Sequence, residues 1–165
     1  MTRPFLMVPD KRLRTICAPV DAVDDGVRAA WDEMLAAMYA MPGVGLAGPQ
    51  IGEMRRLAVV DCVGDAPMRM ANPEVLHASV KLRAHEEGSP NLPELFAKVE
   101  RPRAITARYL DEHGDVVERD FVGLWATSVQ HQIDHLNGKL FIDHLSPMKR
   151  KMLLAKHAKN MKRRG

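Results

Sequence analysis

The segment His131-Gln132-Ile133-Asp134-His135 places two histidines four residues apart. On a helix such a pair lies on one face, a turn apart, and can hold one metal ion. The spacing alone also suits two polar residues on an ordinary helix. In hydrolases of this pattern the residue after the first histidine is glutamate, the general base for metal-bound water. Here it is Gln132. An amide has no proton to exchange near neutral pH, so it cannot take that part. Residues 124–136 read as the helix that carries the pair. Asn137-Gly138 ends it, and a glycine there suits a left-handed cap.

Working outward, residues 104–110 and 116–121 have strand character, and Asp111-Glu112-His113-Gly114-Asp115 between them reads as a hairpin turn. Residues 75–82 read as another strand, and residues 86–93 as an irregular stretch. Residues 57–60 form a short strand, and residues 140–142 a last one. A first helix follows Asp24-Asp25, which suit its N-terminus. Val27, Ala30, Trp31, Met34, Leu35 and Met38 recur along it at helical spacing, until Met41-Pro42-Gly43 breaks the pattern. Pro147 opens a final basic helix. Helices flanking antiparallel hairpins argue for an α+β fold.

The chain has 165 residues, enough for one domain with a real core. Hydrophobic residues make up 46% and charged residues 27%, a globular balance with no run long enough to span a membrane. The N-terminus lacks the apolar core of a signal peptide. Cys17 and Cys62 read as small buried residues rather than a disulfide framework, which points to a reducing cytoplasm. The net charge of +3 conceals an asymmetry. Residues 148–165 hold eight Lys or Arg and no acid, leaving 16 basic against 21 acidic residues elsewhere. We divide the chain into a body, 1–147, and this basic tail, which suits contact with a polyanion.

Three segments in order carry a resemblance. Gly43-Val44-Gly45-Leu46-Ala47-Gly48-Pro49-Gln50 is a small-residue loop ending in Gln. Glu87-Gly88-Ser89-Pro90-Asn91 falls where the peptide deformylase family has Glu-Gly-Cys-Leu-Ser. His131 to His135 falls where it has His-Glu-x-Asp-His. Arg101-Pro102 and the run from Gly138 to Asp143 look similar too. The chain thus resembles peptide deformylases over nearly its whole length. That implies small antiparallel sheets around a central helix bearing the histidine motif, with N- and C-terminal helices. It also implies removal of the N-formyl group from the initiator methionine of nascent bacterial polypeptides. The family uses a divalent metal (iron, zinc or nickel), and its members are mostly monomers.

Carried over by resemblance, His131 and His135 match two metal ligands and Ser89 takes the place of the Cys ligand. A serine hydroxyl ionises far less readily than a thiol and binds such metals weakly. Water, Ser89, Glu86 or Glu87 are open as further donors. Gln50 matches the glutamine that hydrogen-bonds the tetrahedral intermediate. The second donor is the backbone N–H after the Cys, and Pro90 has none. Gly43 and Gly45, with Gly88, match places where substrate backbone runs close. Val44, Leu124, Thr127 and Ser128 match the methionine pocket, the last two being more polar than usual. Asp134 matches a supporting acid that orients a ring or a backbone group. The basic tail is similar to the C-terminal helix that docks some deformylases at the ribosome.

Ligand, base and donor are all altered in one chain. Three readings follow. The chain is a deformylase-like peptide binder with weak or lost activity, an amide hydrolase with another substrate, or a ribosome- or RNA-associated protein acting through its tail. The hydrolase reading requires a water activator from Glu86, Glu87 or Asp134.

Overall fold

The computed structural model describes residues 3–165. Three α-helices, α1 (Asp25–Ala40), α2 (Gly123–Leu136) and α3 (Pro147–Arg164), accompany seven strands. The strands are β1 (Gly45–Ala47), β2 (Leu57–Val60), β3 (Met68–Ala78), β4 (Leu82–Ser89), β5 (Leu92–Pro102), β6 (Ala104–Leu110) and β7 (Val116–Val122). Strands β1-β2-β3-β6-β7 form one antiparallel sheet, and β4-β5 form a separate hairpin. The result is the α+β architecture expected.

Asp24 caps α1 by accepting from the Val27 N–H at 2.9 Å. All six apolar residues of the predicted stripe are buried, and they pack on Leu46, Leu57 and Val59. Trp31 is fully enclosed, and its indole N–H donates to the Met70 carbonyl. Helix α2 lays Ala126, Val129 and Ile133 against a second cluster with Val60, Met70, Ile105 and Phe121. It also touches β5 of the hairpin, so it bridges the two sheets. Burying one such large apolar side chain stabilises the fold by roughly 1.5–3 kcal/mol. Gly138, just past α2, has φ +74° and lies against the Arg14 carbonyl, where a Cβ would come within 2.6 Å.

Three expectations fail locally. Residues 86–93 are not irregular, because β4 and β5 run through them and turn at Pro90-Asn91. Their composition hides this. Glu87 is buried as an ion pair, and the register shifts between Gly88 and Ser89. The strand expected at 75–82 is the end of β3, a turn exposing Val80, and the start of β4. Residues 140–142 form no strand. A 3-10 turn spans Phe141–His144, where the Asp143 carboxylate accepts from the Leu140 N–H at 3.0 Å.

Helix α3 folds back on the body. Leu153 and Leu154 join a cluster with Leu92, Leu95 and Phe141. The buried His157 ring bonds the Val8 carbonyl at 2.8 Å. Met148 and Met152 stay exposed. Among the described residues no helix is long and apolar enough to cross a membrane.

Candidate active site

A cleft of about 590 Å³ opens between β1, the β4-β5 turn and α2. Gly43, Val44, Gly45, Gln50, Gly88, Ser89, Leu124, Thr127, Ser128, His131 and Gln132 all line it. His135 is buried one turn behind His131, and Asp134 lies on the opposite side of α2, against a smaller cavity. The three motifs, far apart in the chain, therefore meet in one place.

The Nε2 atoms of His131 and His135 face each other at 3.1 Å. Glu87 approaches the outer nitrogen of His131, Nδ1, at 2.8 Å. A carboxylate only accepts, so His131 carries its proton on Nδ1 and turns a lone pair towards His135. The Nδ1 atom of His135 has no partner. Burial, with His131 beside it, holds His135 well below the usual imidazole range.

Arg101 organises what lies behind. It donates to Glu87 at 2.7 and 3.0 Å and to Asp134 at 2.8 Å. Asp134 also receives the His144 ring at 2.7 Å. Burial alone would raise the Glu87 carboxyl, yet His131 and Arg101 hold it down at about 2. Burial likewise opposes ionisation of Asp134, and His144 and Arg101 bring it to about 2. Both are committed carboxylates. Glu87 thus stands on the outer side of His131 rather than at a ligand position beside Ser89. The ring that Asp134 holds is that of His144.

Across the cleft, Gln50, Ser89 and Asn91 close on one another. The Gln50 amide donates to Ser89 Oγ at 3.2 Å and to Asn91 Oδ1 at 2.9 Å, and Ser89 Oγ donates to Asn91 Oδ1 at 2.9 Å. Gln50 Oε1 accepts from the Ala47 N–H at 2.9 Å. Both hydrogens of the Gln50 amide are therefore in use. Gln132 packs on Gly45, and its Oε1 is buried without a partner.

The family model described as polypeptide deformylase matches residues 2–151. The chain belongs to the polypeptide deformylase family. It is 47% identical to a peptide deformylase of Rhodopseudomonas palustris strain TIE-1, over 98% of this chain and 95% of that one. Its fold is similar to the crystal structure of a peptide deformylase from Legionella pneumophila, with a TM-score of 0.93 and 40% identity over 99% and 98% of the two chains. It also resembles the peptide deformylase of Ehrlichia chaffeensis in complex with actinonin, with a TM-score of 0.90 and 32% identity over 96% and 97%.

The metal of this deformylase family needs more donors than two imidazoles. Among the described residues no group of three His, Cys, Asp or Glu side chains is placed to hold one. Ser89 offers a neutral hydroxyl already bonded to Gln50 and Asn91. The side chains present do not fit a centre of one thiolate and two histidines.

Sequence reasoning missed Arg101, Asn91, Arg83, His85 and the rim residues Phe5, Met7 and Arg164. Arg101-Pro102 was visible as a flank of a family segment, and nothing in it signalled a buried ion pair. Arg164 comes from the end of α3 and faces Glu94 at 3.7 Å, so the tail reaches the cleft.

Proposed function

We propose that this chain is a deformylase-fold protein that binds peptides in its cleft and removes formyl groups weakly or not at all. The closed triangle of Gln50, Ser89 and Asn91 is the observation that carries this reading. A developing oxyanion would meet an amide whose hydrogens are already given to Ser89 and Asn91. Pro90 supplies no second donor, and the loss of one typically lowers turnover by about 10² to 10³. Gln132 cannot accept a proton, and loss of general-base catalysis costs about 10² to 10⁴ more, though such effects rarely add. Glu87 and Asp134 are weak bases at about 2, which argues against their replacing it in a hydrolase with another substrate.

The test is turnover of a formyl-Met peptide by anaerobically purified protein supplied with iron or nickel. Beside it runs the triple variant Ser89→Cys, Pro90→Leu, Gln132→Glu, with and without Asn91→Ser to release Gln50. Native protein should be silent or at least about 10²-fold slower than the restored variants. Native turnover near theirs would overturn the reading.

The basic face of α3 supports a second role in contacting a polyanion such as ribosomal RNA. RNA binding that falls steeply with salt and disappears when the chain stops before Pro147 would support it; salt-independent binding would count against it.

A further inference from the structure

The wall of the cleft beside the histidines carries hydrogen-bond donors alongside the carboxylates of Glu86 and Glu87. Along β4 the pleat places Arg83, His85 and Glu87 on one face, with Ala84 and Glu86 on the other, and burial alternates accordingly. Glu87 reaches His131, and Arg83 reaches Thr127 one helical turn earlier on α2, donating to Oγ1 at 2.9 Å. The other arm of Arg83 lies 3.4 Å from His85 Nδ1.

These bonds fix what faces the cleft. Arg83 only donates, so His85 must accept through Nδ1 and carry its proton on Nε2. Thr127 accepts from Arg83, which leaves its hydroxyl hydrogen without an acceptor among the described residues. Thr127 and His85 both line the cleft. Arg83 stands opposite Arg101 in the hairpin register. Arg101 is neutralised by Glu87 and Asp134, whereas no described carboxylate lies within 4 Å of Arg83. A half-buried cation thus backs a pair of donors, with no anion of its own. Leu124 and Val44 complete the pocket with apolar surface. Ser128 does not add a donor, because its hydroxyl is spent on the Val44 carbonyl at 3.2 Å.

We infer that this side-chain pocket takes a glutamate-like side chain, its carboxylate facing Thr127 and His85, with the charge of Arg83 behind them, and its methylenes on Leu124 and Val44. Methionine would leave these donors unpaired, and a buried donor without an acceptor is costly. The inference rests on the reading of the cleft as a peptide site and gives that site its substrate class, peptides with an acidic first residue.

The experiment measures binding of formyl-Glu-Ala-Ser, formyl-Gln-Ala-Ser and formyl-Met-Ala-Ser to native protein. It also measures kcat/KM for the same peptides with the restored variant of the preceding section. The glutamate peptide should be preferred over methionine roughly tenfold or more in both, with glutamine between them. Arg83→Met should erase or invert that order, and Thr127→Val should narrow it. Equal or tighter use of the methionine peptide by the restored variant overturns the pocket inference, whatever the native protein's turnover. So does a preference unchanged by Arg83→Met in protein whose melting shows it folded. Native turnover matching the restored variant would overturn only the proposal of weak activity, because the ratio between peptides still reads the pocket.

Discussion

At the scale of single residues, the cleft depends on small changes of chemistry more than of shape. Ser89 and Gln132 each bring a neutral polar group to the cleft, Ser89 bonded to Gln50 and Asn91 and Gln132 packed on Gly45. Gly45 shows the opposite dependence. A Cβ there would meet Gln132 Nε2 and Ser128 Oγ, each at 2.4 Å. Gly45→Ala should therefore destabilise the protein by about 1–3 kcal/mol and loosen α2 from β1, read as a lower urea midpoint. An unchanged midpoint would mean that Gln132 swings away freely. The sequence reading marks this glycine as a place for substrate backbone, by resemblance. That two side chains of α2 press on it is not legible there, because they come from more than eighty positions away.

At the scale of elements, the helices were read well and the hairpin β4-β5 was not. The stripe on α1 has a period that only a helix satisfies. In the hairpin a buried ion pair and a register shift break the alternation by which strands are recognised. The sequence reads α3 as a basic helix suited to a polyanion, because its charges surround a narrow apolar strip. The His157 ring, buried against Val8, shows that it docks. His157→Ala should leave that carbonyl unpaired and cost about 1–3 kcal/mol. Hydrogen exchange measured by mass spectrometry should then quicken in α3 while α1 stays protected. Equal quickening in both helices would show that α3 unfolds only with the whole molecule.

At the scale of the whole molecule, acid stability follows from ion pairs that tie distant segments together. Glu53, nearly buried, binds Arg55 at 2.8 and 2.9 Å and Arg3 at 3.3 Å. Arg55 holds its carboxyl below the usual value, against burial, and Arg3 adds to this. A lowered folded value means that the stabilisation is fully present above the unfolded value of about 4.5. It is lost as pH falls through the folded value. Glu53→Gln should cost about 1 kcal/mol at pH 7, allowing for solvent around the half-exposed Arg55. The gap between variant and native protein should narrow below about pH 4.5 in urea melts. A gap independent of pH down to 3 would show that the carboxylate's charge is not what stabilises.

The sequence by itself determined the family and the α+β class, and it states which residues, Ser89, Pro90 and Gln132 among them, stand in the motif segments. Those are matters of residue identity, order and spacing, which the chain states outright. Only the tertiary structure decided how the neighbours of those positions are used. It engaged both hydrogens of Gln50, set Glu87 behind His131 rather than beside Ser89, and left Arg83 without an anion behind Thr127. Hydrogen-bond saturation and charge pairing depend on distances between residues far apart in the chain, and no local pattern encodes them.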